Sequence, residues 1–147
     1  MKKTSFGLVL CLLVAGLPPL ARADLASFLN SVNVQARADL GAFNVKLSAQ
    51  FGVPVTQVET IVRSVEAPAD AFMCLQLAEM SHKPPETVLV TYQKSKGKGW
   101  GAIAKELGIK PGSPEFHALK RGDLAFTGES GGGGKGKSKD KGKGKKK

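Results

Sequence analysis

The chain has 147 residues, 41% of them hydrophobic, with 22 Lys plus Arg against 12 Asp plus Glu and a formal net charge of +10. One domain's length with that apolar content supports a hydrophobic core. Two cysteines and two histidines, none at metal-ligand spacing, leave no cysteine framework and no zinc-type cluster.

Residues 1–23 read as an export signal. Lys2 and Lys3 form a basic head, Phe6 to Leu17 an apolar run, Pro18-Pro19 a break, and Ala21-Arg22-Ala23 places small residues at −3 and −1 of a cleavage site. The run is too short to cross a membrane, which takes about 20 apolar residues. Cys11 does not mark a lipoprotein site, because it lies within the apolar run and Leu10 before it is not small. The expected location is the bacterial periplasm or the medium, with no transmembrane segment in the mature chain. Cleavage after Ala23 leaves Cys74 as the sole cysteine, so no intramolecular disulfide forms although an oxidising compartment would permit one. Between Phe72-Met73 and Leu75, Cys74 reads as a buried structural thiol.

Residues 24–126 read as one all-α domain of five or six short helices. Asp24 is an N-cap, followed by Leu25, Phe28, Leu29 and Val32 at i, i+3, i+4 and i+7. Leu40, Phe43, Leu47 and Phe51 continue the helical pattern up to Gly52. Asn30, Asn33, Gly41 and Asn44 weaken it, which leaves open one bent helix or two. After Val53-Pro54, the run Thr56 to Glu59 has the form of a capping box, and Val58, Ile61, Val62 and Val65 complete an apolar face. Ala67-Pro68-Ala69 is a linker and Asp70 the cap of the next helix. Phe72, Met73, Leu75, Leu77, Ala78 and Met80 surround that helix on nearly all sides, which predicts the central element. His82-Lys83-Pro84-Pro85 ends it. Thr87 to Tyr92 alternates like a strand, but the prolines before it and the Val88, Leu89, Tyr92 spacing predict a helix to about Ser95.

The densest glycine punctuation falls between Gly97 and Gly122. Trp100, Ile103, Ala104 and Leu107 share one helical face, and Gly108 is suited to a left-handed cap with Ile109 folding back. Lys110-Pro111-Gly112 predicts a tight turn, and Ser113-Pro114-Glu115 a new helix start with hydroxyl cap, proline and first-turn carboxylate. Trp100, Gly108, Pro111 and Ser113 are therefore structural positions. The helix–turn–helix form also occurs in duplex readers, although this second helix is brief and lacks the Arg, Asn and Gln that read base edges.

The run GKGWGAIAKELGIKPGSPEFHALKRG resembles a motif, GKGWGxIAKxLGIKPGSxEFHALK, shared by small exported bacterial proteins of unassigned function. The resemblance extends over LSAQFGVPVTQVETIV and Pro84-Pro85-Glu86, and so over most of the body. It implies an exported protein and carries over no catalytic residue, cofactor or metal ligand.

Chemistry in the body is sparse. Residues 24–126 contain no G-x-S-x-G and no Walker-type phosphate loop. His82 and His117 are the only imidazoles, and an enzyme would have to use one of them. Cys74 and His82, eight positions apart, would be separated by about 12 Å on a continuous helix. The one anion-site candidate in the body combines Lys94, Lys96 and Lys98 with the amides around Gly99 and Gly101 where a helix opens.

Residues 127–147 read as a disordered basic tail. No apolar residue follows Gly128, and within residues 135–147 Lys135, Lys137, Lys139, Lys141, Lys143, Lys145, Lys146 and Lys147 stand against Asp140 alone. Residues 24–134 balance at 11 basic and 11 acidic groups, so the tail carries the whole net charge of the mature chain. Such an arm suits lipopolysaccharide, teichoic acid, nucleic acid or anionic lipid. The expected function is a non-enzymatic envelope binding or interaction module, with a nucleic-acid-binding protein as the alternative.

Overall fold

The computed structural model describes residues 24–127, and the expected export signal and the basic tail from residue 128 lie outside them. Seven helices and no strand occur among the described residues: α1 (Leu25–Ala38), α2 (Leu40–Phe51), α3 (Val55–Ser64), α4 (Pro68–Ser81), α5 (Pro85–Lys94), α6 (Trp100–Glu106) and α7 (Pro114–Arg121). None is long and apolar enough to cross a membrane.

The count exceeds the expected five or six because the first pattern divides at Asp39. Its extended backbone (φ −157°, ψ 100°) cannot continue a helix. Its own amide donates to Gln35 O at 3.3 Å, closing α1, while its carboxylate accepts from the Ala42 amide at 2.9 Å, opening α2. Asn30, Asn33, Gly41 and Asn44, which sequence reasoning held to weaken this region, all lie inside the two helices. Asn33 instead accepts from the Ala69 amide at 2.8 Å, pinning α1 to the start of α4. Asn44 is buried, and its Oδ1 has no hydrogen-bond partner among the described residues.

Two caps differ from expectation. Thr56 does not cap α3, because the helix opens one residue earlier, with Pro54 in extended geometry accepting from the Val58 amide at 3.0 Å. Asp70 is not the N-cap of α4 but its third residue, reaching back to accept from the Ala67 amide at 3.1 Å. Proline occupies the first helical position there, as it does in α5 and α7.

Helix α4 is the hub. Ala69, Ala71, Phe72, Met73, Cys74, Leu75, Leu77 and Ala78 are all buried, and α1, α2, α3, α5 and α6 pack around it. The segment with strand-like alternation is helical because Val88 and Tyr92, four apart, both turn into the core beside α4. Helix α7 packs on α6 and closes against α1. Gly122, in the left-handed region at φ 66°, sits so close to the start of α1 that a Cβ there would stand 2.7 Å from the Asp24 carbonyl oxygen.

Phe72 joins an aromatic cluster with Phe28, Phe51 and Phe126, at ring-centroid distances of 5.3, 5.7 and 5.9 Å. Phe126 belongs to no helix. Its segment is held by the Gln50 side chain, which donates to Ala125 O at 2.7 Å and accepts from the Thr127 amide at 3.1 Å. Thr127, assigned to the tail on composition, is thus tied to the body.

Candidate functional site at the corner of helices α5 and α6

Five residues, 95–99, connect α5 to α6. The Lys98 amide donates to Ser95 O at 3.1 Å and Gly97 has φ 82°, the hydrogen bond and positive third residue of a type II turn. Gly99, at φ 81°, leads into α6, and its carbonyl accepts from the Ala102 and Ile103 amides. At the far end, the Gly108 amide donates to Lys105 O and the Ile109 amide to Ala104 O, both at 3.0 Å. That pair is a Schellman cap with Gly108 left-handed at φ 93° and Ile109 folded into the core. Lys110-Pro111-Gly112-Ser113 is a second type II turn, closed by the Ser113 amide on Lys110 O, and Ser113 Oγ then accepts from the Phe116 amide at 3.2 Å.

The lysines collected at this corner are turned mainly toward carboxylates. Lys96 Nζ lies 3.0 Å from Glu66 Oε1, and Lys98 Nζ lies 3.2 Å from Glu106 Oε1. The other oxygen of Glu106 accepts from the buried Ser95 hydroxyl at 2.6 Å. This hydroxyl first, then Lys98, holds the Glu106 carboxyl below its ordinary range. Lys94 is exposed at the end of α5, and Gly101 faces the Phe116 ring. Helix α6 has seven residues, too few for a strong dipole. The arrangement therefore joins ammonium groups to acids rather than leaving them convergent on one anion.

Beneath this corner lies a cavity of about 270 Å³ lined by Glu66, Asp70, Tyr92, Lys96, Trp100 and Ile103, with the backbone of Gly97 and Gly99 at its edge. Tyr92 and Trp100 are stacked, with ring centroids 5.2 Å apart. Tyr92 is buried; Trp100, read from the sequence as a structural position, is only half-buried and packs on the outside of the core. The Tyr92 hydroxyl donates to Asp70 Oδ2 at 3.0 Å and accepts from the Glu66 amide at 3.5 Å. Burial raises the Asp70 carboxyl above its ordinary value despite the Tyr92 and Ala67 hydrogen bonds. Burial also pushes the Tyr92 phenol up to about 12, so it remains a donor across the physiological range.

A larger, open groove of about 640 Å³ runs between the end of α2 and the end of α4, with Phe51, Leu75, Glu79, His82 and Pro84 among its lining. His82 caps α4 from the left-handed region (φ 55°) and is exposed. Cys74 is fully buried, and desolvation, then the Asp70 charge, pushes its thiol up to about 12. One is in the core and the other on the surface, so they do not form a nucleophile–base pair. His117 is exposed on α7. No group of three or more metal-ligating side chains occurs among the described residues. The tail lysines, Lys135 through Lys147, lie outside the described residues.

Asp70, Tyr92, Glu66 and Glu106 entered no site assignment made from the sequence. The Lys96–Glu66 and Tyr92–Asp70 contacts span 30 and 22 residues, beyond any helical period. Compared with protein-family models, with curated proteins and with solved structures, the chain gives no match.

Proposed function

We propose that the protein is an exported, non-catalytic binding module of the bacterial envelope, held on anionic polymers or surfaces by its basic tail. The observation that carries this reading is the pairing of Lys96 with Glu66 and of Lys98 with Glu106. With those two ammonium groups compensated, the uncompensated positive charge lies in residues 135–147, where eight lysines face one aspartate. Each lysine that meets a phosphate or sulfate releases a counterion, so a Gly-spaced arm binds polyanions without needing a fixed shape. The resemblance of the 97–122 run to exported bacterial proteins supports the location. Duplex reading by Trp100–Leu119 has less support, since exposed Glu115 in the first turn of α7 would face phosphate.

The test compares the protein with and without residues 131–147 for binding to lipopolysaccharide, anionic vesicles and single-stranded DNA. The reading expects binding to at least one of them that disappears with the tail. Equal affinity with and without the tail would overturn it.

A further inference from the structure

We propose that the cavity between Trp100, Tyr92, Asp70 and the Lys96–Glu66 pair is a binding site for a single sugar ring. The inference is independent of the tail and concerns a different ligand class.

The lining narrows the choice of ligand. An anion would meet two carboxylates, Glu66 and Asp70, and the one lysine present is already 3.0 Å from Glu66. A free ammonium ion would compete for a position held in cis, because Lys96 Nζ lies both on Glu66 and 5.9 Å over the Tyr92 ring. A purely apolar ligand would leave Asp70 desolvated without a new donor. A polyhydroxylated ring satisfies all of these groups. Its hydroxyls donate to Asp70 and Glu66 and accept from Lys96, using acceptors and a donor that already converge on one space. Its C–H face, slightly positive, suits the negative face of an aromatic ring, and half-exposed Trp100 supplies such a wall.

Part of the site, Asp70 with Tyr92, is also pre-organised. Asp70 is fixed by the Ala67 amide and the Tyr92 hydroxyl, both on Oδ2, and Tyr92 is fixed by burial and by Trp100. Pre-organised acceptors spare a ligand the ordering cost that flexible surface side chains impose. At about 270 Å³ the cavity falls just under the ~300 Å³ at which pockets for drug-sized ligands begin. It therefore takes one ring of a saccharide, with neighbouring rings in solvent.

Trp100 is the only tryptophan in the whole chain, so its emission reports on this wall without labelling. The intact protein is titrated with glucose, N-acetylglucosamine and its tetramer, with methylammonium chloride and sodium sulfate as competitors of the other two classes. The proposal expects a saturable change in Trp100 emission with at least one sugar, at about millimolar Kd as for a small, single-ring contact. It expects no comparable change with either salt. Asp70→Asn keeps an oxygen for the Tyr92 hydroxyl and the Ala67 amide, and should weaken sugar binding about tenfold or more with the fold retained by circular dichroism. Lys96→Met should also weaken it, and Glu59→Gln on the exposed face of α3 should not. Shifts of the Gly97 and Gly99 amide resonances on sugar addition provide a readout that does not depend on the indole. Absence of saturable change with all three sugars by both readouts would overturn the proposal. So would a response to methylammonium or sulfate as strong as that to sugar, or unchanged binding in Asp70→Asn.

Discussion

The indole of Trp100 lies on the phenol ring of Tyr92, centroids 5.2 Å apart and planes 14° from parallel, while the Tyr92 hydroxyl reaches past it to Asp70 Oδ2 at 3.0 Å. A residue at the first position of a short helix is thereby tied to the central helix through one intermediate side chain. Trp100→Ala would cost about 3–5 kcal/mol in a closed core. Half-buried, the ring should contribute about 2 kcal/mol, part of it from stacking. Chemical denaturation checks this, and a loss below about 0.5 kcal/mol would show that the stack contributes nothing to stability.

Gly122 separates two costs that usually occur together. At Gly52, φ is 63° and a Cβ would meet nothing within 4 Å, so Gly52→Ala isolates the left-handed backbone cost, about 1–2 kcal/mol. At Gly122 the same substitution adds backbone contacts of 2.7–2.9 Å with Asp24 and Leu25, in a place where neither side is a flexible side chain. Gly122→Ala should therefore destabilise by at least about 1 kcal/mol more than Gly52→Ala. Equal losses would mean that the start of α1 yields freely.

Cys74 should resist a water-soluble thiol reagent until denaturant is added. It is fully buried and its thiol is pushed up to about 12, so almost no thiolate exists at neutral pH and none is in contact with solvent. Labelling of the native protein at the rate of an unfolded control would contradict its place in the core.

The pH dependence of stability contains two opposite signs. Asp24, Glu106 and Glu115 have carboxyls held below their ordinary 3.8, 4.5 and 4.5, chiefly by the Ser27 amide, the Ser95 hydroxyl and the Glu115 backbone amide respectively. Each stabilises the fold fully above its unfolded pKa and loses that contribution as pH falls through the folded one. Asp70 is raised above 3.8, chiefly by burial, so its charge opposes folding above the raised value and the opposition fades as pH falls through it. Asp70→Asn should therefore raise the melting temperature relative to the native protein more near neutral pH than near pH 4. A larger gain at the acid end would contradict the sign.

Local signals in the sequence were legible where the cause was local. Gly108, the Lys110–Ser113 turn and the Ser113-Pro114 helix start depend on residues within a few positions of one another, and their backbone geometry follows. The all-α class and the central position of α4 follow from apolar residues on every side of one helix. What the sequence did not disclose depends on distance in space. Asp39 entered no reading of the sequence, and its role as a double cap shows only in its extended backbone. The lysines at 94–98 read as a basic cluster because their acids, Glu66 and Glu106, come from elsewhere in the chain. Phe126 read as the last residue of the domain, but its packing on Phe72 and the hold of Gln50 on Ala125 and Thr127 join positions far apart in sequence. The Trp100 wall, the half-buried Asp70 and the ion pair form one cavity only when the α3–α4 linker, α4, α5 and α6 meet.

The most direct measurement of the central claim is the salt dependence of polyanion binding by the intact protein. If about five of the eight tail lysines engage phosphates, log affinity should fall against log salt with a slope of roughly −3.5 on single-stranded DNA and roughly −4.5 on duplex. Without residues 131–147, a segment with no apolar side chain, stability should change by less than about 0.5 kcal/mol and the steep slope should vanish. A slope near zero for the intact protein, or the same steep slope without the tail, would contradict the account.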